Sequence, residues 1–229
     1  MRIVALTGAG ISAESGISTF RDSGGLWEGY AIEEVASPQG WIKNPAVVLD
    51  FYNQRRKIAL NAEPNEGHLA LARLERLFEL TIITQNVDNL HEKAGSSQVI
   101  HLHGELFKSR STKDSQLIYD IEGWELKLGD KCEKGAQLRP HIVWFGEPVP
   151  LLEKAIAATR IADIFMVIGT SLQVYPAAGL MNYVKASVPK YIIDPNLPPV
   201  AKNDALFLVP EKASIGLPKV AAQLLQENA

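Results

Sequence analysis

The sequence predicts an α/β fold, with a parallel sheet, helices on both of its faces and a smaller inserted module. Three observations predict it. Short β-branched apolar runs alternate with stretches of helical periodicity. Most of these runs are apolar throughout, as strands covered on both faces must be. Two segments, 28–64 and 109–139, break the alternation.

Taken in order, strands are expected at 2–6, 80–83, 99–102, 142–145, 164–168, 191–193 and 205–209. Helices are expected at 45–60, 68–78, 151–162, 177–186 and 218–226. Pro45 suits a first helical turn, and Ala70, Leu74, Leu77 and Phe78 recur at helical spacing. The sheet domain is then discontinuous, comprising 1–27, 65–108 and 140–229. The small module combines 28–64 with the Lys-, Asp- and Glu-rich stretch 109–139.

Hydrophobic residues make up 46% and charged residues 21% of the 229, the balance of an ordinary globule. A net charge of −3 gives no electrostatic reason to expect nucleic acid or an anionic membrane as partner. No signal-peptide pattern is read, and no stretch approaches the roughly 18 apolar residues of a membrane span. The single cysteine, Cys132, excludes an intramolecular disulfide and is compatible with a reducing compartment. A cytoplasmic monomer is expected.

The first strand runs into Leu6-Thr7-Gly8-Ala9-Gly10-Ile11-Ser12-Ala13-Glu14-Ser15-Gly16-Ile17. Such a turn lets the backbone approach a pyrophosphate. Gly8, Gly10 and Gly16 do not make G-x-G-x-x-G, and no acidic residue follows at the end of a second strand about 20 residues on. A hydride-transferring dehydrogenase is therefore disfavoured. On spacing alone the loop reads either as a nucleotide site or as a structural turn.

Gly8–Arg21 (GAGISAESGISTFR) resembles the first signature of the sirtuin family. TQNVDNLHEKAG at 84–95, LHG at 102–104, RPHIVWFGE at 139–147 and GTS at 169–171 are similar to further sirtuin segments and come in the same order. The resemblance covers nearly the whole chain. It implies a Rossmann-like domain, NAD⁺ consumed as co-substrate, and acyl-lysine proteins or peptides as substrates. It places Gly8, Ala9, Gly10, Ala13, Phe20 and Arg21 on the phosphates, ribose and nicotinamide side, and Gln85, Asn86 and Asp88 on the ribose and carboxamide. Gly169, Thr170 and Ser171 become a second phosphate and adenosine-ribose contact, Asp194 and Asn196 the adenosine-ribose edge, and Ala213 an adenine neighbour. Asp194 stands where the family often has Asn.

The resemblance makes His103 the catalytic base, with Asn86 beside it in the catalytic set. His101, two residues away, would face the same side of a strand. In the implied scheme the acyl oxygen attacks the NAD⁺ ribose, nicotinamide leaves, and His103 takes a proton from a ribose hydroxyl. The peptide is expected as an added strand against Phe145, Gly146, Glu147 and Val174, with Val143 at the lysine tunnel. Tyr52 and Arg55, at i and i+3, resemble the acyl pocket of the class III sirtuins, which prefer succinyl- and malonyl-lysine, and Ala36 leaves room for the longer chain. Spacing alone fits a solvated basic helix face equally well, since Arg56 and Lys57 follow.

Most sirtuins carry two Cys-x-x-Cys pairs that hold structural zinc. Here Ser111 and Asp114 occupy the first pair's region and only Cys132 remains of the second, so no zinc is expected. Trp124, Leu126, Leu128, Ile118, Tyr119 and Ile121 are expected to hold the module as an apolar cluster. Two other functions stay open: a non-catalytic module for NAD or ADP-ribose, and a mono-ADP-ribosyltransferase.

Overall fold

The computed structural model describes residues 1–18, 29–200 and 204–228, and the backbone of Leu26 and Trp27. Its strands are β1 (Arg2–Thr7), β2 (Leu26–Trp27), β3 (Tyr30–Ala31), β4 (Glu79–Thr84), β5 (Val99–His101), β6 (Gly104–Ser111), β7 (Ile118–Asp120), β8 (Leu138–Ile142), β9 (Ile164–Ile168), β10 (Lys190–Ile193) and β11 (Leu206–Val209). Its α-helices are α1 (Ala9–Ala13), α2 (Ile32–Val35), α3 (Pro38–Lys43), α4 (Pro45–Asn61), α5 (Glu66–Leu74), α6 (Leu90–Lys93), α7 (Leu152–Arg160) and α8 (Ala213–Glu227), with a 3₁₀ helix at Ala177–Tyr183.

Six strands form a parallel sheet in the order β11-β10-β9-β1-β4-β5. Alternation along β1 sends Ile3 and Ala5 to one face and Val4 and Leu6 to the other. The first face is covered by Leu71 and Leu74 of α5 with Leu217 and Leu224 of α8. The second is covered by Ile156 of α7 and Leu180 of the 3₁₀ helix. Both faces are therefore dry, which accounts for the unbroken apolar runs.

Three expectations need correction. The run 142–145 is not a sheet strand: β8 ends at Ile142, pairs antiparallel with β6, and leaves Val143–Phe145 as a loop. The last helix starts at Ala213 and carries Pro218 inside it. The small module is not held by the expected apolar cluster, because Ile118 and Leu128 are exposed and only Leu126 of that set is buried.

The 28–64 part packs in an apolar cluster with Val35, Val48, Phe51 and Trp144, and polar anchors tie the 109–139 stretch to it. Arg56 is fully buried, so it belongs to no solvated face. Its Nε donates to the Trp124 carbonyl at 2.7 Å, its Nη1 to the Leu106 carbonyl at 3.0 Å and its Nη2 to Asn53 Oδ1 at 2.5 Å. Asn53 in turn bonds both main-chain groups of Leu126, at 3.1 and 3.0 Å. Burial pulls the Arg56 pKa down to about 10, which leaves it cationic at neutral pH. The antiparallel sheet β7-β6-β8 and the 121–126 loop are thus fastened to α4 from within.

Arg56→Ala leaves the buried Leu106 carbonyl and the part-buried Trp124 carbonyl without this donor, and should cost about 2–5 kcal/mol in urea unfolding. Arg73→Ala, which breaks only a surface pair with Glu66, should cost under about 1 kcal/mol. Equal losses would contradict the anchor.

Candidate active site

β1 and β9 are neighbours, but the chain leaves β1 for strands on one side and β9 for strands on the other. A crevice opens at the carboxyl ends of the strands wherever the order reverses in this way. The loops meet backbone to backbone at Gly10 and Gly169, with the Thr170 side chain against Gly8. The Gly10 N–H donates to the Gly169 carbonyl at 2.9 Å, and a Cβ on Gly10 would lie 2.7 Å from Gly169 Cα. Gly169 itself has φ +59.

A cleft of about 710 Å³ lies there. Gly8, Ala9, Gly10 and Ala13 line it from the loop after β1, and Gln85, Asn86 and Asp88 from the loop after β4. His103 follows β5, Gly169, Thr170 and Ser171 follow β9, and Asp194 and Asn196 follow β10. Ala213 contributes from the start of α8, and Ala36, Tyr52 and Arg55 from the small module. Val143, Phe145, Gly146, Glu147 and Val174 complete the wall. Phe20 and Arg21 lie outside the described residues.

The two histidines have opposite electrostatics. His103 Nδ1 lies 3.1 Å from the Gln85 carbonyl, which can only accept, so Nδ1 carries the proton and Nε2 keeps a lone pair. Burial lowers its pKa below the ordinary imidazole value and the Gln85 carbonyl offsets this in part. His101 has acceptors on both nitrogens, Glu92 Oε1 at 2.7 Å and the Asn86 carbonyl at 3.2 Å. Burial opposes its charge, but the Glu92 carboxylate outweighs this and raises its pKa. His103 thus keeps an unprotonated Nε2, whereas both nitrogens of His101 face acceptors and its Glu92 partner favours the imidazolium. Gly104, at φ +87, turns the chain sharply between them and β6, and a Cβ there would collide with the His141 carbonyl. The Val143 N–H then reaches the His103 carbonyl at 2.9 Å.

The amide side chains are pinned from behind. Asn86 Nδ2 donates to the Gly8 carbonyl and to Ser12 Oγ, each at 3.0 Å, and Gln85 Nε2 to Thr170 Oγ1 at 3.1 Å. Asp88 Oδ1 accepts the Leu90 N–H at 3.1 Å, an Asx turn ahead of α6. Burial nevertheless raises its carboxyl pKa. Asp194 Oδ1 accepts the Asn196 N–H at 2.7 Å. Tyr52 and Arg55 are 0% and 7% exposed, so they are not a solvated face. The Glu147 carboxylate points away from solvent to Arg139 and Arg110.

Residues 8–176 match the pattern of the Sir2 family.

The chain belongs to the Sir2 family.

An NAD-dependent protein deacylase of Bacteroides thetaiotaomicron is 52% identical over 228 residues, covering 97% of each chain. One of Helicobacter pylori is 58% identical over 201 residues, 88% of this chain and 86% of that one. A crystal structure of a Sir2 homologue with NAD superposes at TM-score 0.90, with 42% identity, covering 100% of this chain and 91% of that one. A Sir2 protein bound to acetylated peptide gives TM-score 0.77 at 30% identity, covering 98% and 92%.

In this Sir2 chain the positions expected for zinc have other partners. Cys132 Sγ lies 3.4 Å from Ser111 Oγ, and Asp114 pairs with Lys134 at 2.7 Å. One thiol, a hydroxyl, a carboxylate and an ammonium do not suit a structural zinc. Sequence reasoning gave no role to Glu92, Arg139, Arg110 or Trp144. Arg139 and Trp144 lay inside the segment RPHIVWFGE and Glu92 inside TQNVDNLHEKAG, but only contacts made on folding give them meaning.

In an NMR titration the His103 ring should titrate below about pH 6.5 and the His101 ring above it. The reverse order would contradict the assignment of the base.

Proposed function

We propose that the protein is an NAD-dependent protein-lysine deacylase that prefers succinyl and malonyl groups, removes acetyl as well, and works in the cytoplasm. The observation that carries the activity is His103, a neutral imidazole on the cleft wall with its Nδ1–H already spent on a carbonyl. The activity named for the relatives supports the same reading.

The residues present fit NAD⁺. Glycines at the meeting of the two loops leave main chain exposed to a pyrophosphate, and hydroxyl, amide and carboxylate groups for ribose diols lie to either side. Gly8, Ala9, Gly10 and Ala13, with Thr170 and Ser171 after Gly169, hold the phosphates. Asp194 and Asn196 take the adenosine ribose, and Ala213 abuts adenine. Gln85, Asn86 and Asp88 take the other ribose and the carboxamide. Phe20 and Arg21 join this set on sequence grounds alone. The dinucleotide supplies an anomeric carbon with a cationic leaving group. His103 Nε2 takes the proton of a ribose hydroxyl, and with one water consumed the products are nicotinamide, free lysine and O-acyl-ADP-ribose.

The acyl-lysine peptide lies extended along Phe145–Glu147 and the segment around Val174, with Val143 beside the lysine stem. Phe145, Val174 and Tyr175 form an exposed apolar rim there. Glu147 serves through its main chain, because its carboxylate is taken. Buried Tyr52 and Arg55 receive the acyl carboxylate, and Ala36 gives it room. A guanidinium offers a carboxylate two parallel bonds, while a methyl-ended acyl group uses neither.

His103→Ala should lower turnover by about 10²–10⁴-fold with the fold intact, and in wild type the acid limb of kcat/KM should lie below about pH 6.5. Near wild-type turnover in that variant would overturn the assignment. Arg55→Met should lower kcat/KM on succinyl-lysine by roughly 10²-fold and leave acetyl-lysine level or slightly higher. Equal loss on both substrates would overturn the acidic-acyl reading.

A further inference from the structure

Trp144 is buried, and its Nε1–H donates to the Tyr52 hydroxyl at 3.0 Å. An indole nitrogen donates and never accepts. The Tyr52 oxygen is therefore the acceptor in this bond, and its own proton must find a different partner. Tyr52 lines the cleft with Arg55, one turn further along α4. Burial pushes the Tyr52 pKa up to about 12, so the proton stays on through the working range.

Trp144 is itself clamped. The Arg139 guanidinium lies over its ring, 3.2 Å from the centroid, and Trp41 packs at 5.8 Å between centroids. Its main-chain N–H donates to Glu147 Oε2 at 2.8 Å. The same carboxylate receives Arg139 at 2.6 and 3.1 Å and Arg110 at 3.1 Å to each oxygen. One ion cluster thus fixes the turn 144–147 and the plane of the indole together.

We propose that Trp144 is a positioning residue for acyl selectivity: by filling the acceptor side of the Tyr52 hydroxyl, it commits that hydroxyl to donate to a carboxylate-ended acyl group beside Arg55. The proposal deepens the acidic-acyl reading above and rests on it. A hydroxyl free to rotate can serve donors, acceptors or water, and must be frozen on binding. A hydroxyl with its acceptor side filled is already set for an anion, and a methyl-ended acyl group offers it nothing.

Trp144→Phe keeps an aromatic ring under Arg139 and deletes only the indole N–H and part of the ring. Steady-state kinetics on succinyl- and acetyl-lysine peptides, from one preparation, give a ratio that does not depend on the folded fraction. The succinyl-to-acetyl ratio of kcat/KM should fall about three- to tenfold, mainly through KM for the succinyl peptide. In a Tyr52→Phe background Trp144→Phe should change the ratio no further, since the hydroxyl it orients is gone. An unchanged ratio in Trp144→Phe, or the same further fall without the Tyr52 hydroxyl, overturns the role of Trp144. If Arg55→Met still removes the succinyl preference in either case, the acyl reading survives. Wild-type preference for acetyl-lysine overturns both.

Discussion

The loops after β1 and β9 touch backbone to backbone at Gly10 and Gly169. The rest of the site depends on this contact. The two strands are neighbours, and their chains depart to opposite sides of the sheet. A Cβ on Gly10 would press on Gly169 Cα, and one on Gly169 would lie 2.5 Å from the Ile11 nitrogen. Side chains there would push the loops apart or fill the crevice between them. With glycine, two strand ends close on each other while the loops after β4, β5 and β10 stand around them as walls. The sheet is dry on both faces, so the polar groups of these loops collect at one edge.

A second constraint acts in the small module, where a buried charge joins the apolar cluster around α4. Helix α4 carries two i, i+3 pairs, one residue out of step. Tyr52 and Arg55 turn to the cleft, while Asn53 and Arg56 turn to the module behind it. The anchors that tie down the 121–126 loop therefore also fix the rotation of α4, and with it the direction of the cleft-facing pair. A buried cation with good geometry is a weak source of net stability, but leaving its partners unsatisfied costs several kcal/mol. This penalty disfavours other registers of α4 against β6. Strand β6 holds both sides, since the Leu106 carbonyl accepts from Arg56 and Arg110 donates to Glu147.

The central sheet was legible because burial on both faces writes itself into continuous apolar runs. The run 142–145 misled for the same reason. Trp144 is as buried as a strand residue, but it is buried against α4 by a loop, and composition does not distinguish the two. The start of α8 was missed because Pro218 reads as a first-turn signal, whereas the helix carries it five residues in, after Ala213. The cleft's residues were legible through motif resemblance, and their spatial convergence follows from strand order. The charge state of the two histidines was not legible. Glu92 lies nine residues from His101 in sequence, and its 2.7 Å contact exists only after folding. Arg56 read as solvated because its carbonyl partners are 50 and 68 residues away.

The proposed reaction is transfer of an acyl group from lysine to ADP-ribose, in a cleft built at the reversal of strand order. Mass spectrometry of the products from NAD⁺ and a succinyl-lysine peptide tests it most directly. Equal amounts of nicotinamide, free-lysine peptide and O-succinyl-ADP-ribose are predicted. ADP-ribose appearing on protein or peptide, with the succinyl group still on lysine, would contradict it.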